Sequence, residues 1–348
     1  MLRRTLASAS IAFGMLFVAS TGAMATAQRT FVASTGNDAN PCSIAQPCRG
    51  FARAITQTST GGEVIVLYSA GYGPVVITQS VTIAAPGGVY AGISVFSGDG
   101  VTVNGANIIV TLHGLSINGE GGNNGINILN AGTVHVESCI IANMLNAGAR
   151  QLAGMLDMKD TIIRNDPYGV YVQGPGQATL DHVRLEGNAT GLAAEYDAQV
   201  AMQDSVVTGS SNIGVLAAYG SGASNSSSVT ITRSLISFSL YGIYLDPGSV
   251  DYPFVTISDS TISDSGAWGI FSNGPSELRA TRTTIVANSF GNSNGIHLLA
   301  GAWAILDGNY LRTQTDVVAE AGSTYVTRSN NTFSSSNIGG TYIPLTGQ

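Results

Sequence analysis

Charge is what this sequence has least of. Only 10% of its 348 residues are charged, against about 25% in an ordinary soluble domain, and Lys159 is its single lysine. That removes the basic patch a nucleic-acid binder needs to neutralise phosphates. It also removes the Glu/Lys-rich composition of a coiled coil, while 44% hydrophobic residues are too many for a disordered chain. Histidines are few and scattered (His113, His135, His182, His297), with no zinc-type spacing. No metal site and no cofactor follow from any motif, although a calcium site assembled across several chain turns would leave none.

Long apolar runs are missing too, apart from one at the start. Arg3 and Arg4 precede a mostly apolar or small stretch, Leu6 to Val18, and then the small-x-small sites Ala23-Met24-Ala25 and Ala25-Thr26-Ala27. Residues 1–27 therefore read as a signal peptide, because the apolar run is shorter than the ~20 residues of a membrane span. Its removal takes Lys+Arg from 14 to 12 against 21 acids, a net charge of −9. The mature chain is expected to be acidic, secreted or periplasmic, and without a membrane span. Three cysteines enter that oxidising compartment. Cys42 and Cys48, within Asn-Pro-Cys-Ser-Ile-Ala-Gln-Pro-Cys, are expected to form a disulfide. Cys139, in Glu-Ser-Cys-Ile-Ile, reads as a buried free thiol.

Glycine is abundant, at 44 residues, and it is periodic. Gly125-Ile-Asn-Ile, Gly169-Val-Tyr-Val, Gly191-Leu-Ala-Ala, Gly214-Val-Leu-Ala, Gly242-Ile-Tyr-Leu, Gly269-Ile-Phe-Ser and Gly295-Ile-His-Leu repeat one unit, with Gly148 and Asp316 filling looser phases. Each unit carries a second alternating stretch, such as Val255-Thr-Ile257, and a third, such as Ile285-Val286. Three short period-two strands per coil, separated by Gly, Asn and Ser, predict an all-β, single-domain parallel β-helix. Leucine-rich repeats would need a fixed leucine framework, and propeller blades need longer units.

The amino end makes the likeness specific. Phe31-Val-Ala-Ser-Thr-Gly-Asn-Asp38, Pro47-Cys-Arg-Gly-Phe51 and Gly61-Gly-Glu-Val-Ile-Val-Leu67 resemble the entry segment of pectin-lyase-like right-handed β-helix proteins. The resemblance implies an N-terminal cap over 28–60, with a helix over Arg49–Thr58 whose apolar face is Phe51, Ala54 and Ile55. A β-helix over 61–338 and a tail over 339–348 complete the expected organisation. The enzymes of this fold supply a residue-by-residue test. Polygalacturonase-like enzymes place carboxylates around the repeat glycine strand, but here the preceding residues are Asn124, Tyr168, Thr190, Ile213, Tyr241, Trp268 and Asn294. The arginine pattern of pectate-lyase-like enzymes is also absent around Asp181, His182 and Arg184.

Aligning the coils predicts an outward column Asp160, His182, Asp204, Arg233, Asp259, Arg282 and Asp307, read as a charge ladder rather than an acid–base cluster. Asn143, Asn165, Asn188 and Asn288 are expected to stack in turns. Two residues past each repeat glycine, side chains should point outward. The candidate ligand face is Tyr171, Tyr244, Asp246, Phe271, Asn273 and His297, walled by the long loops Ser221–Ser228, Pro247–Pro253 and Asn273–Glu277. Aromatic columns also stabilise solenoids without a ligand. Glu195 and Asp246, two coils apart, are the weak acid–base candidates. The sequence thus predicts a secreted or envelope-associated protein that contacts polysaccharide or a cell-surface glycan. The alternatives are a polysaccharide lyase or glycoside hydrolase of unrecognised type, and an adhesin or structural surface protein.

Overall fold

A side-chain carbon built on Gly242 would lie 2.4 Å from the carbonyl oxygen of Gly269 and 2.7 Å from Ile262 Cγ2. On Gly214 it would lie 2.5 Å from the Gly242 oxygen and 2.7 Å from Ile236 Cγ2. Each repeat glycine faces the carbonyl of the next, and only hydrogen fits in the gap. That contact spaces the coils of a right-handed parallel β-helix.

The computed structural model describes residues 26–219, 226–248, 252–287, 294–328, 330–334, 336–338 and 340–344. Nearly all of the segment read as a signal peptide, Asn225, Asn288 and much of the loops at 221–228 and 247–253 lie outside the described residues. One coil shows the plan. Tyr241–Asp246 belongs to a 12-stranded sheet (sheet 1), Phe254–Ser258 to a 14-stranded sheet (sheet 2), and Thr261–Ser263 to a second 12-stranded sheet (sheet 3). All recorded strand pairings are parallel and join one coil to the next. The inward residues Val255, Ile257, Ile262 and Ile270 are fully buried, each stabilising the fold by about 1.5–3 kcal/mol.

Strand Ala27–Val32 starts sheet 2 beside Thr58–Val66. Between them helix α1, Phe51–Gln57, buries Phe51, Ala54 and Ile55 against the first coils. It begins two residues later than its sequence pattern suggests, because the backbone N–H groups of Arg49 and Gly50 donate to Asp38 Oδ1 at 2.8 and 3.0 Å. A disulfide joins Cys42 to Cys48. Strand Thr341–Pro344, in the segment read as a tail, adds to the far edge of sheet 2.

Both turns that follow sheets 2 and 3 use left-handed backbone. After sheet 2, Asp160, His182, Asp204, Arg233, Asp259 and Arg282 all have φ between 46° and 54°, a conformation that is uncommon for side chains other than Asn and Asp. Asp307 does not join this column: it pairs with Thr281, and Gly308, at φ 65°, takes the left-handed position at lower steric cost. After sheet 3, Asn143 donates to Asn118 Oδ1 at 2.7 Å and Asn165 to Asn143 Oδ1 at 3.3 Å. Asn188 departs from that stack. Gly187 occupies the turn position, and Asn188 is buried one residue inside, where its Oδ1 accepts the Asp166 N–H at 3.0 Å.

Asp166 sits in the same inner corner, one coil earlier. Its Oδ1 accepts the Met144 N–H at 2.6 Å, while Oδ2 has no hydrogen-bond partner among the described residues. Burial, opposed by that one hydrogen bond, pushes the carboxyl up to about 7.

Candidate functional site

Sheet 1 alternates as a strand should, but the alternation slips at each repeat glycine. In Tyr241–Asp246, Gly242 and Ile243 are both buried, so Tyr241 and Tyr244 lie half-exposed on the same side. The next strand, Trp268–Ser272, repeats this with Trp268 and Phe271, and the one after it presents His297. The registers Tyr244 to Phe271 and Phe271 to His297 stack these rings on adjacent coils. Centroids lie 5.2 Å apart for Tyr244–Phe271, 5.1 Å for Phe271–His297, 5.2 Å for Tyr241–Tyr244 and 4.4 Å for Trp268–His297. The result is one half-exposed aromatic platform over three coils. At its border Asn273 Nδ2 donates to Asp246 Oδ1 at 3.0 Å.

Tyr241 and Trp268 were absent from the expected ligand face. The signal was available, since each directly precedes a repeat glycine, but strict period-two alternation turns that position inward.

The other candidates are arranged differently. Tyr171 is separated from Tyr244 in register by Ala193 and Leu216, so it lies outside the continuous platform. It stacks on Tyr168 at 4.5 Å, and its hydroxyl donates to Glu195 Oε2 at 2.6 Å while accepting from Gln173 Nε2 at 2.6 Å. Arg150 closes that network, donating from Nε and Nη2 to Gln173 Oε1 at 3.1 and 2.9 Å. Burial, followed by the hydrogen bond to Glu195, raises the Tyr171 phenol far above its ordinary range. The Tyr244 phenol is raised by burial first and by the Asp246 charge second. His297 Nε2 lies 2.9 Å from Glu320 Oε1. Glu195 and Asp246 occupy one outward column with Ala218 between them, a separation of about 10 Å by strand spacing.

Sheet 2 carries further titratable groups. His113 faces Glu137 at 3.6 Å and His135 faces Asp157 at 3.0 Å. Asp181, His182 and Asp204 bring three possible ligand atoms within 4.8 Å of one another. Three existing hydrogen bonds occupy that cluster. His182 Nδ1 lies 2.6 Å from Asp181 Oδ1, and Arg233 holds both oxygens of Asp204. Cys139 is buried, and burial pushes its thiol up to about 11.

Residues 95–310, well over half of the chain, match the family model described as periplasmic copper-binding protein (NosD). The chain belongs to the NosD family. The NosD span includes every strand of the aromatic platform. Among solved structures, this NosD-family chain is similar to Dettilon tailspike protein gp208, at 13% identity and TM-score 0.63, with 84% of this chain and 63% of the tailspike chain covered. It is similar to pectate lyase Pel9A, at 12% identity and TM-score 0.51, covering 85% and 79%. The A-module of mannuronan C-5 epimerase AlgE4 from Azotobacter vinelandii matches at 11% identity and TM-score 0.56, covering 82% and 89%. These likenesses show the parallel β-helix fold that the sequence predicts. The chain spans less than two thirds of the tailspike's length. No curated protein matches the chain in sequence.

Proposed function

We propose that this NosD-family chain is an exported β-helix that binds a neutral or weakly charged polysaccharide on sheet 1. The observation that carries this reading is the unbroken contact of Tyr241, Tyr244, Trp268, Phe271 and His297 over three coils. Aromatic faces take the apolar faces of sugar rings, and a few fixed polar groups such as Asp246 and Asn273 take hydroxyls. The acidic balance of the chain, 21 acids against 14 bases, disfavours a polyanion. Binding rather than cleavage is favoured because Glu195 is engaged by Tyr171 and stands two strands from Asp246. A disulfide and the periplasmic family description both fit export.

Copper, which the family description names, does not fit the donor set here. Copper(I) favours several thiolate or thioether ligands together, but Cys139, Met144, Met158 and Met202 are core residues, and Met155 is the one exposed sulfur ligand among the described residues. The Asp181–His182–Asp204 cluster offers one imidazole and two carboxylates, one of them neutralised by Arg233. No step of the proposed function passes through a metal.

The test is Tyr244→Ala combined with Phe271→Ala, assayed by retention in polysaccharide-containing gels after circular dichroism confirms the fold. Retention should fall by at least about tenfold, ~1.4 kcal/mol; unchanged retention retires this face. Reducing-end release that is present in the parent and lost in Glu195→Gln or Asp246→Asn would overturn the non-catalytic reading.

A further inference from the structure

A second, separate cleft lies on sheet 2, beyond the corner where sheet 1 ends. It has a volume of about 480 Å³, and its lining includes Ser226, Tyr252, Phe254, Glu277 and Trp303. Phe254 pairs in register with Glu277, and Glu277 with Trp303. Two aromatic residues therefore stand two strands apart, about 10 Å at the backbone, with a carboxylate between them. Tyr252 and Trp303 are 54% and 38% exposed, so both rings keep apolar surface open to a ligand. Tyr252 is held in place by its own N–H, which donates to Ser226 Oγ at 2.9 Å.

Glu277 is the cleft's charged lining residue, and Arg279, just outside the lining, is paired with it. Arg279 donates from Nε to Glu277 Oε1 at 2.8 Å, and its guanidinium carbon lies 5.3 Å from the Phe254 ring centroid. A cationic ligand would meet Arg279 and an anionic one Glu277, so the charges favour neither. What remains is a neutral ligand with apolar faces and a polar edge, able to accept from a guanidinium and donate to a carboxylate.

We propose that this cleft is a glycan site that holds one neutral pyranose ring between Trp303 and the Tyr252–Phe254 wall, its hydroxyls on Glu277 and Arg279. The glycan class rests on the reading proposed for sheet 1, but none of the residues is shared with that platform. A chain crossing the platform past Asp246 and Asn273 would run toward this corner, because Asp246 ends the strand before Phe254–Ser258 and Asn273 follows the strand before Ser276–Thr281.

The chain's two tryptophans fall one in each site, Trp268 on the platform and Trp303 in the cleft. Trp268→Phe thus leaves Trp303 as the sole indole reporter. This variant is titrated with cellohexaose, xylohexaose and mannohexaose, with trigalacturonate as the charged probe. The expected result is a saturable change in Trp303 emission with at least one neutral hexaose, its Kd raised at least about tenfold by Tyr252→Ala, ~1.4 kcal/mol. The change should persist when Tyr244→Ala and Phe271→Ala are added. Flat emission with all three neutral probes overturns the cleft, as does a response to trigalacturonate alone or one abolished by Tyr244→Ala and Phe271→Ala. A persistent Trp303 response alongside polysaccharide retention that Tyr244→Ala and Phe271→Ala leave unchanged retires the platform and keeps the cleft.

Discussion

Arg233 grips Asp204 with two parallel hydrogen bonds, Nε to Oδ1 at 2.8 Å and Nη2 to Oδ2 at 2.6 Å, reaching back one coil along the rod. Arg282 does the same to Asp259, at 2.6 Å on each arm. Bidentate geometry is the strong form of this contact. The hydrogen bonds from the arginines hold both aspartate carboxyls below the usual carboxylate range. A lowered folded pKa contributes stability above the unfolded value of about 3.9, lost as pH falls through the folded value. Arg233→Gln with Arg282→Gln should therefore move the acid-unfolding midpoint to higher pH, followed by circular dichroism. High salt should shrink the difference, because these pairs are exposed.

Asp166 works in the opposite direction. Its carboxyl, pushed up to about 7, keeps a proton in the folded chain that the unfolded chain releases, so stability declines as pH rises from about 4 to about 7. Asp166→Asn should raise stability at pH 8 by about 1–3 kcal/mol and flatten this slope. An amide is accommodated in this corner one coil on, where Asn188 Nδ2 donates to the Ile163 carbonyl at 3.3 Å. Urea melts of the variant at pH 5 and pH 8 measure both effects. A variant that is less stable at pH 8 would show that the carboxylate is better solvated than its surroundings indicate.

Gly242→Ala would force a methyl group against the Gly269 carbonyl and Ile262, costing about 1–3 kcal/mol or more. Gly87 has nothing within 4 Å of the same construction, so Gly87→Ala should leave the denaturant midpoint near the parent's. Equal midpoints for the two variants would break the link between the glycine repeat and coil spacing.

The six-residue separation of Cys42 and Cys48 closes a short loop whose entropy contributes about 2 kcal/mol. Thiol titration of the oxidised chain should find no reactive thiol when folded and one, from Cys139, after unfolding without reductant. Cys42→Ser with Cys48→Ser should lower the thermal midpoint measurably.

The fold was legible because glycine, β-branched pairs and polar turns all recur on the same beat, and steric contact makes that beat obligatory. Phe51, Ala54 and Ile55 likewise announced the buried face of the cap. Side chains near a change of backbone direction were harder to read. Trp268 and Tyr241 hide beside a glycine where alternation slips, Asn188 was placed one residue away from its buried position, and Asp307 lost its column to Gly308. The loops expected to wall the sheet 1 face instead bring Ser226, Tyr252 and Glu277 to the cleft at Trp303 on sheet 2, a partnership that only the registers of sheet 2 reveal because the coils are of unequal length. Glu195 and Asp246 were correctly placed in one column, yet the Tyr171 hydroxyl bonded to Glu195 could be seen only in three dimensions.

The backbone repeats every coil, but the column Asp160, His182, Asp204, Arg233, Asp259, Arg282 repeats every second coil when His182 is protonated. Loss of the coil bearing Arg233 would set Asp204 against Asp259. Loss of that coil together with the one bearing Asp204 would set His182 against Asp259 and restore the pairing. Charge thus imposes a parity rule on how this rod can lengthen or shorten: whole coils are interchangeable as backbone, but as surface they are exchanged in twos.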